Sequence, residues 1–168
     1  MTQPKAQDRL QPALLDRLTD DDPTNKAEAA DMRIINRSRM REAVLRDLSW
    51  LFNTTLMSAD ATLDPYPEVR RSVLNYGLPA LSGRSASSID LVRLEDQVKR
   101  AILDHEPRIL ADTLKIEALV SEQQLDHHNQ ISFRISGKLW AQPVPMELLL
   151  QTNIDLENGQ VEIQNLNS

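Results

Sequence analysis

No cysteine occurs among the 168 residues. That absence excludes disulfides, thiolate zinc sites and cysteine nucleophiles, and it fits a reducing compartment. Aromatic residues make up only 4%, so aliphatic side chains must fill any core. There are four glycines, and none sits in a G-x-G-x-x-G, a P-loop or a G-x-S-x-G, so no phosphate-binding loop or nucleophile elbow is present. No segment approaches the roughly 18 to 20 apolar residues of a membrane span. The opening "MTQPKAQDRLQPALLDRLTDDDP" has no apolar h-region of a secretory signal. The expected location is cytoplasmic, without direct membrane insertion. A net charge of -6 weighs against nucleic acid as a partner, because phosphate binding needs a basic surface.

What remains is a chain long enough for one domain and an arm. Residues 1–32 are polar and punctuated by proline, and read as an N-terminal arm. Leu14, Leu15 and Leu18 stand at helical spacing within it. One or two turns of helix do not hold themselves together in water, so this segment is either loose or docked on a protein surface. Residues 33–168 read as the domain. Arg33, Arg37, Arg39, Arg41 and Arg46 cluster at its start. From Ser38, a possible cap, Met40, Val44, Leu48 and Leu51 recur at helical spacing, with Leu45 and Phe52 widening the stripe. The arginines fit a solvated helix face, with a docking surface for an acidic partner as the alternative.

Residues 53–86 are rich in proline and serine and read as a structured loop. Inside it "PEVRRSVLNYGLP" has the pattern of a short helix entered at Pro67. Val69, Val73 and Leu74 are expected to face inward, and Gly77 to stop the helix. A second long helix follows, with Ser87 and Asp90 as a capping box and Leu91, Leu94, Val98, Ala101 and Ile102 as its stripe. It stops at Pro107, since proline lacks a donor and clashes with the preceding turn.

Beyond residue 110 the apolar period changes from 3.6 to 2. "TLKIEALV", "QISFRISGKLW" and "MELLLQTNIDL" each alternate, and Asn158-Gly159 signals a hairpin before Val161 and Ile163. Helices followed by strands predict an α+β fold, with N-terminal helices packed on one face of a mainly antiparallel four-stranded sheet.

Catalytic constellations are missing. His127 and His128, with Asp126, lie in a turn-like "LDHHNQ" that lacks metal-ligand spacing. His105 and Glu106 do not form H-E-x-x-H, which proline would break in any case. No carboxylate pair is marked as a glycosidase site. No metal or cofactor is expected. The feature that stands out is "AILDHEPRIL", which sets Glu106 and Arg108 around Pro107. A carboxylate at a helix C-terminus is unfavourable by about 0.3 to 1 kcal/mol unless a cation answers it, and Asp104 shares that position. Either Arg108 compensates Glu106 locally, or Pro107 turns both outward as a rigid two-signed recognition patch.

"RDLSWLFNT", "YPEVRRSVLNYGLPALSG" and "AILDHEPRI", in that order, resemble the TssE family of bacterial type VI secretion systems, within the phage-tail baseplate wedge proteins sometimes called lysozyme-like. The resemblance runs from "LLDRL" at Leu14 to the last strands. It implies a non-catalytic subunit that links the wedge subunits TssF and TssG to the sheath proteins TssB and TssC. The family's Glu-Pro-Arg motif falls on Glu106, Pro107 and Arg108, and its Tyr-Gly-Leu-Pro segment begins at Tyr76 and Gly77. With Leu14, Leu15 and Leu18 these are the expected partner-binding residues. Replacing Glu106 or Arg108 is expected to leave the domain folded and to weaken assembly. A peptidoglycan-cleaving hydrolase is the alternative function.

Overall fold

A computed structural model describes residues 13–18, 37–58, 61–85, 88–119, 129–141 and 144–166. The calls on Arg33, on Ser87, and on Asp126, His127 and His128 lie outside them, as does most of the proposed arm.

The helical stripe of residues 38–52 does what its spacing demands. Helix α2, Arg37–Phe52, buries Met40, Ala43, Val44, Leu48, Leu51 and Phe52. Ser38 is not its cap. It lies within the first turn and donates its hydroxyl to Glu42 Oε1 at 3.2 Å. Before α2 comes a five-residue helix α1, Leu14–Leu18. After it, a four-residue α3, Pro67–Arg70, gives way to a 3-10 turn at Val73–Asn75. Helix α4, Leu91–His105, buries Leu94, Val98, Ala101 and Ile102. Its N-cap is Asp90 itself, whose carboxylate accepts from Arg93 N at 3.1 Å. The helix therefore starts later than a capping box at Ser87 would set it.

Four strands follow in simple meander order: β1 Lys115–Leu119, β2 Gln130–Leu139, β3 Met146–Asp155 and β4 Val161–Asn165, each antiparallel to the next. The period-2 pattern puts Met146, Leu148, Leu150, Thr152 and Ile154 of β3 on the covered face. There they lie opposite Leu139, Gly137, Ile135, Phe133 and Ile131 of β2. Helices α2 and α4 share one core cluster with that face. A fully buried Leu or Ile contributes about 1.5 to 3 kcal/mol relative to exposure, so an aliphatic core suffices without aromatics. The Asn158-Gly159 hairpin forms, but as a longer loop than a two-residue turn. Asp155 N donates to Gln160 O at 2.9 Å, and the Asp155 carboxylate accepts from Glu157 N and from Asn158 Nδ2. Gly159 takes the positive φ of 78°.

The 56–77 loop departs most from expectation. Val73 and Leu74 face solvent, at 81% and 67% exposure, because the helix ends at Arg70 and the next turn is 3-10. The residue turned inward is Asn75, whose amide oxygen accepts from Ser58 N at 3.0 Å. Gly77 does not end a helix. It sits where the chain joins Thr54 and Leu56 through Leu78 N to Thr54 O at 2.8 Å and Leu56 N to Leu78 O at 3.0 Å. Its φ is 122°, and a Cβ there would lie 2.2 Å from Thr54 O.

Gly77→Ala should therefore destabilise the domain by about 3 kcal/mol or more, from backbone strain plus the clash. Gly83→Ala, also at positive φ but in open space, should cost about 1 kcal/mol. Urea unfolding of the two variants checks this, and equal midpoint shifts would contradict the close approach at Gly77.

Candidate functional site

The proline break redirects the chain into the sheet. Glu106 is the C-cap of α4, its N–H reaching Ile102 O at 2.8 Å. Past Pro107, Trp140 N donates to Arg108 O at 2.7 Å and Leu110 N to Lys138 O at 2.8 Å, so residues 108–110 run beside the end of β2. A helix continuing through residue 107 would lose this pairing. Pro107 thus ends α4 where the chain must become extended.

Glu106 does not face outward. It is only 3% exposed, which corrects the expected two-signed outward patch. A carboxylate so placed must be paired, and Arg108 pairs with it in a fork. Arg108 Nε donates to Glu106 Oε1 at 2.6 Å, its second nitrogen reaches Oε2, and its backbone N–H reaches Oε1 at 3.2 Å. The planar guanidinium matches both carboxylate oxygens at once. The local-compensation reading of the motif is the one observed. Asp104, the other acid at the helix end, is answered instead by Arg71 at 3.4 Å.

The pairing continues across the fold. Arg108 reaches Asp47 Oδ2 of α2 at 2.5 Å. Asp47 Oδ1 accepts from Arg46 at 2.9 Å, and Arg46 reaches Asp16 of α1 at 2.5 Å. An alternating line of charge thus joins α1, α2 and the break after α4. Burial alone would lower the Arg108 pKa. The hydrogen bonds and charge of Glu106, followed by those of Asp47, outweigh it and hold the guanidinium above its ordinary value. Arg46 is also raised, chiefly by its hydrogen bond to Asp16. Tyr76 completes the site. Its ring meets His105 edge-on at 5.0 Å, and its hydroxyl donates to Asp47 O at 3.4 Å. Burial first, then the charges of Asp47 and Glu106, raise its pKa.

The expected site residues therefore separate into two groups. Glu106, Arg108 and Tyr76 converge on Asp47, with Pro107 exposed beside them and Gly77 buried next to Tyr76. Leu14, Leu15 and Leu18 stand apart on α1 and point to solvent, Leu14 and Leu18 at 70% and 73% exposure. Helix α1 is joined to α2 through Asp16. Asp47 and Asp16 are the members that sequence reasoning passed over. The adjacent Arg46-Asp47 of "RDLSWLF" was the available signal. The arginine cluster is also less solvated than expected. Besides Arg46, Arg37 donates to Val144 O at 3.1 Å and Arg41 to Glu147 O at 3.5 Å, fastening α2 to the start of β3.

Residues 38–144, from α2 to just short of β3, match the family described as baseplate wedge protein gp25. The chain belongs to that family. Its members are structural components of a phage-tail-like baseplate, and the match takes in Asp47, Tyr76, Gly77, Glu106, Pro107 and Arg108 but not α1. Comparisons with curated proteins and with solved structures return no match.

Arg108→Ala strands a buried carboxylate, and should destabilise this baseplate wedge domain by about 3 kcal/mol, the low end for a broken buried pair because one edge of Arg108 is solvated. Asp16→Asn, removing a partly exposed pair, should cost under about 1 kcal/mol. Urea unfolding at constant m-value would separate the two, and equal losses would contradict the burial argument. At alkaline pH the sign is also fixed. Above the ordinary tyrosine value of 10.0 the unfolded chain releases its phenolic proton before the folded one, so stability falls as pH rises. Tyr76→Phe should reduce that slope in unfolding curves taken from pH 9 to about 11.

Proposed function

We propose that this protein is the TssE-type subunit of a cytoplasmic type VI secretion baseplate, non-catalytic, linking the wedge subunits TssF and TssG to the first sheath proteins TssB and TssC. The family match supports a baseplate role, and the order of "RDLSWLFNT", "YPEVRRSVLNYGLP" and "EPRI" favours the secretion-system branch. The observation that carries the assembly mechanism is the fork between Glu106 and Arg108. It makes the Glu-Pro-Arg motif a rigid corner in which Glu106 acts from beneath. Tyr76, Pro107 and the solvated edge of Arg108 are what such a corner offers a neighbour. No helix among the described residues is long and apolar enough to cross a membrane.

The arm of residues 1–32 is the second element of the proposal. Helix α1 leaves Leu14 and Leu18 largely in solvent and Leu15 half-exposed, and exposed leucines on one short helix are suited to a hydrophobic groove on another chain. Strand addition by a sheath subunit is the third element. The outer strands bear on it unequally. Ala118 N of β1 already donates to Glu95 Oε1 of α4 at 2.6 Å, whereas on β4 the Asn53 amide takes up the N–H and carbonyl of Val161, the first residue of the strand. An incoming strand is better accommodated along β4 around Ile163.

Replacing Leu14 and Leu18 together by serine should leave the unfolding midpoint unchanged and reduce co-purification of TssF and TssG about tenfold, equivalent to about 1.4 kcal/mol. Undiminished co-purification would remove the arm from the interface. Turnover of peptidoglycan by the purified protein, abolished by one carboxylate substitution, would overturn the non-catalytic reading.

A further inference from the structure

A cavity of about 100 Å³ lies between α4 and the 56–77 loop, its lining reaching His105, the residue before Glu106. It is a built feature. Asn75 ties the loop to itself through Ser58 N at 3.0 Å and Arg70 O at 3.3 Å. Arg71 fastens the loop to Asp104 of α4 at 3.4 Å, and Tyr76 stacks edge-on against His105. These contacts hold the walls apart.

The charges around the cavity are unequally answered. Arg70 is taken by Asp64 at 2.9 Å and Asp104 by Arg71. Arg100 also lines the cavity, and among the described residues no ion pair holds it. An uncommitted guanidinium beside a small polar hollow is a receptor for a carboxylate. The volume suits one such side chain, being about three times the share of a single water in the liquid. The loop that forms one wall also carries apolar side chains in solvent. Val73 and Leu74, its most exposed large hydrophobics, immediately precede the lining residue Asn75, and exposed Met57 lies between the lining residues Leu56 and Ser58.

We propose that this cavity and the exposed side of its loop form a docking site for a partner protein segment that carries an Asp or Glu flanked by aliphatic residues, the carboxylate entering beside Arg100 and the aliphatic side chains covering Val73 and Leu74. A free anion would use Arg100 but leave Val73 and Leu74 uncovered, so the two features together select a peptide. The site rests on the baseplate reading for the identity of its partner, and it is distinct from both the Glu-Pro-Arg corner and the α1 leucines.

The test places a photo-crosslinking residue at Val73 in the full chain, co-expressed with TssF, TssG and the sheath subunits. The expected result is a cross-link to a partner peptide that contains Asp or Glu. Arg100→Gln should weaken it about tenfold with the unfolding midpoint unchanged, Arg100→Lys should restore most of it, and Val73→Asp should weaken binding independently. An intact baseplate complex without the cross-link overturns this site alone, as does a cross-link indifferent to Arg100→Gln. Absence of any co-purifying complex overturns the site and the baseplate reading together. Protection of Arg100 by inorganic phosphate, with partner binding unaffected by Arg100→Gln, would make the cavity an anion pocket and overturn the peptide assignment.

Discussion

A carboxylate buried at the end of a helix is the constraint on which the rest of this structure turns. Glu106 loses its hydration and sits where the α4 dipole repels negative charge. Only a cation held at fork geometry offsets both costs, and the chain supplies it two residues later. That closeness is possible because Pro107 stops the helix. In a continuing helix, residues two apart point to different sides. The proline, the acid and the arginine therefore form one device: the break permits the pair, and the pair holds the break in one conformation.

Other parts of the fold are registered against that device. Arg108 gives its carbonyl to Trp140 and its guanidinium to Asp47, so a single residue links the sheet, α2 and the end of α4. Asp47 accepts from both Arg108 and Arg46, and the Tyr76 hydroxyl reaches its carbonyl. The docking of α1 is the last link of the same line, through Asp16. Such a line is stable only as a whole, since removing one inner member leaves a neighbour desolvated and unanswered. Arg46 is more solvated than Arg108, which makes the half of the line toward α1 weaker than the fork.

The periodic elements were legible in the sequence for a plain reason. The stripes of α2 and α4 and the alternation of β2, β3 and β4 are statements about which side chains leave water, and burial dominates the energetics of those segments. The loop of residues 56–77 was misread because its four-residue helix and 3-10 turn are too short for a period to bind. There Val73 and Leu74 went outward, and a buried asparagine took over the role of core residue. At the helix break, adjacency in sequence exposed the Glu106–Arg108 pair, but nothing local could reveal Asp47, which lies 61 positions earlier. Long-range ion pairs leave no periodic trace, and only the fold brings them together.

Membership of a motif does not make a residue a contact. Glu106 and Gly77 belong to the two segments most suggestive of partner binding, yet both are buried, one held by a guanidinium and the other pressed against the Thr54 carbonyl. Their effect on any partner must pass through what they hold in place: Arg108 and Pro107 in one case, Tyr76 and Leu78 in the other. A substitution at either buried position alters geometry before it alters recognition. A loss of assembly in such a variant therefore speaks to contact only when the fold is shown to be intact. The exposed residues Leu14, Leu18, Val73 and Arg100 carry no such ambiguity, because little of the domain's own packing depends on them.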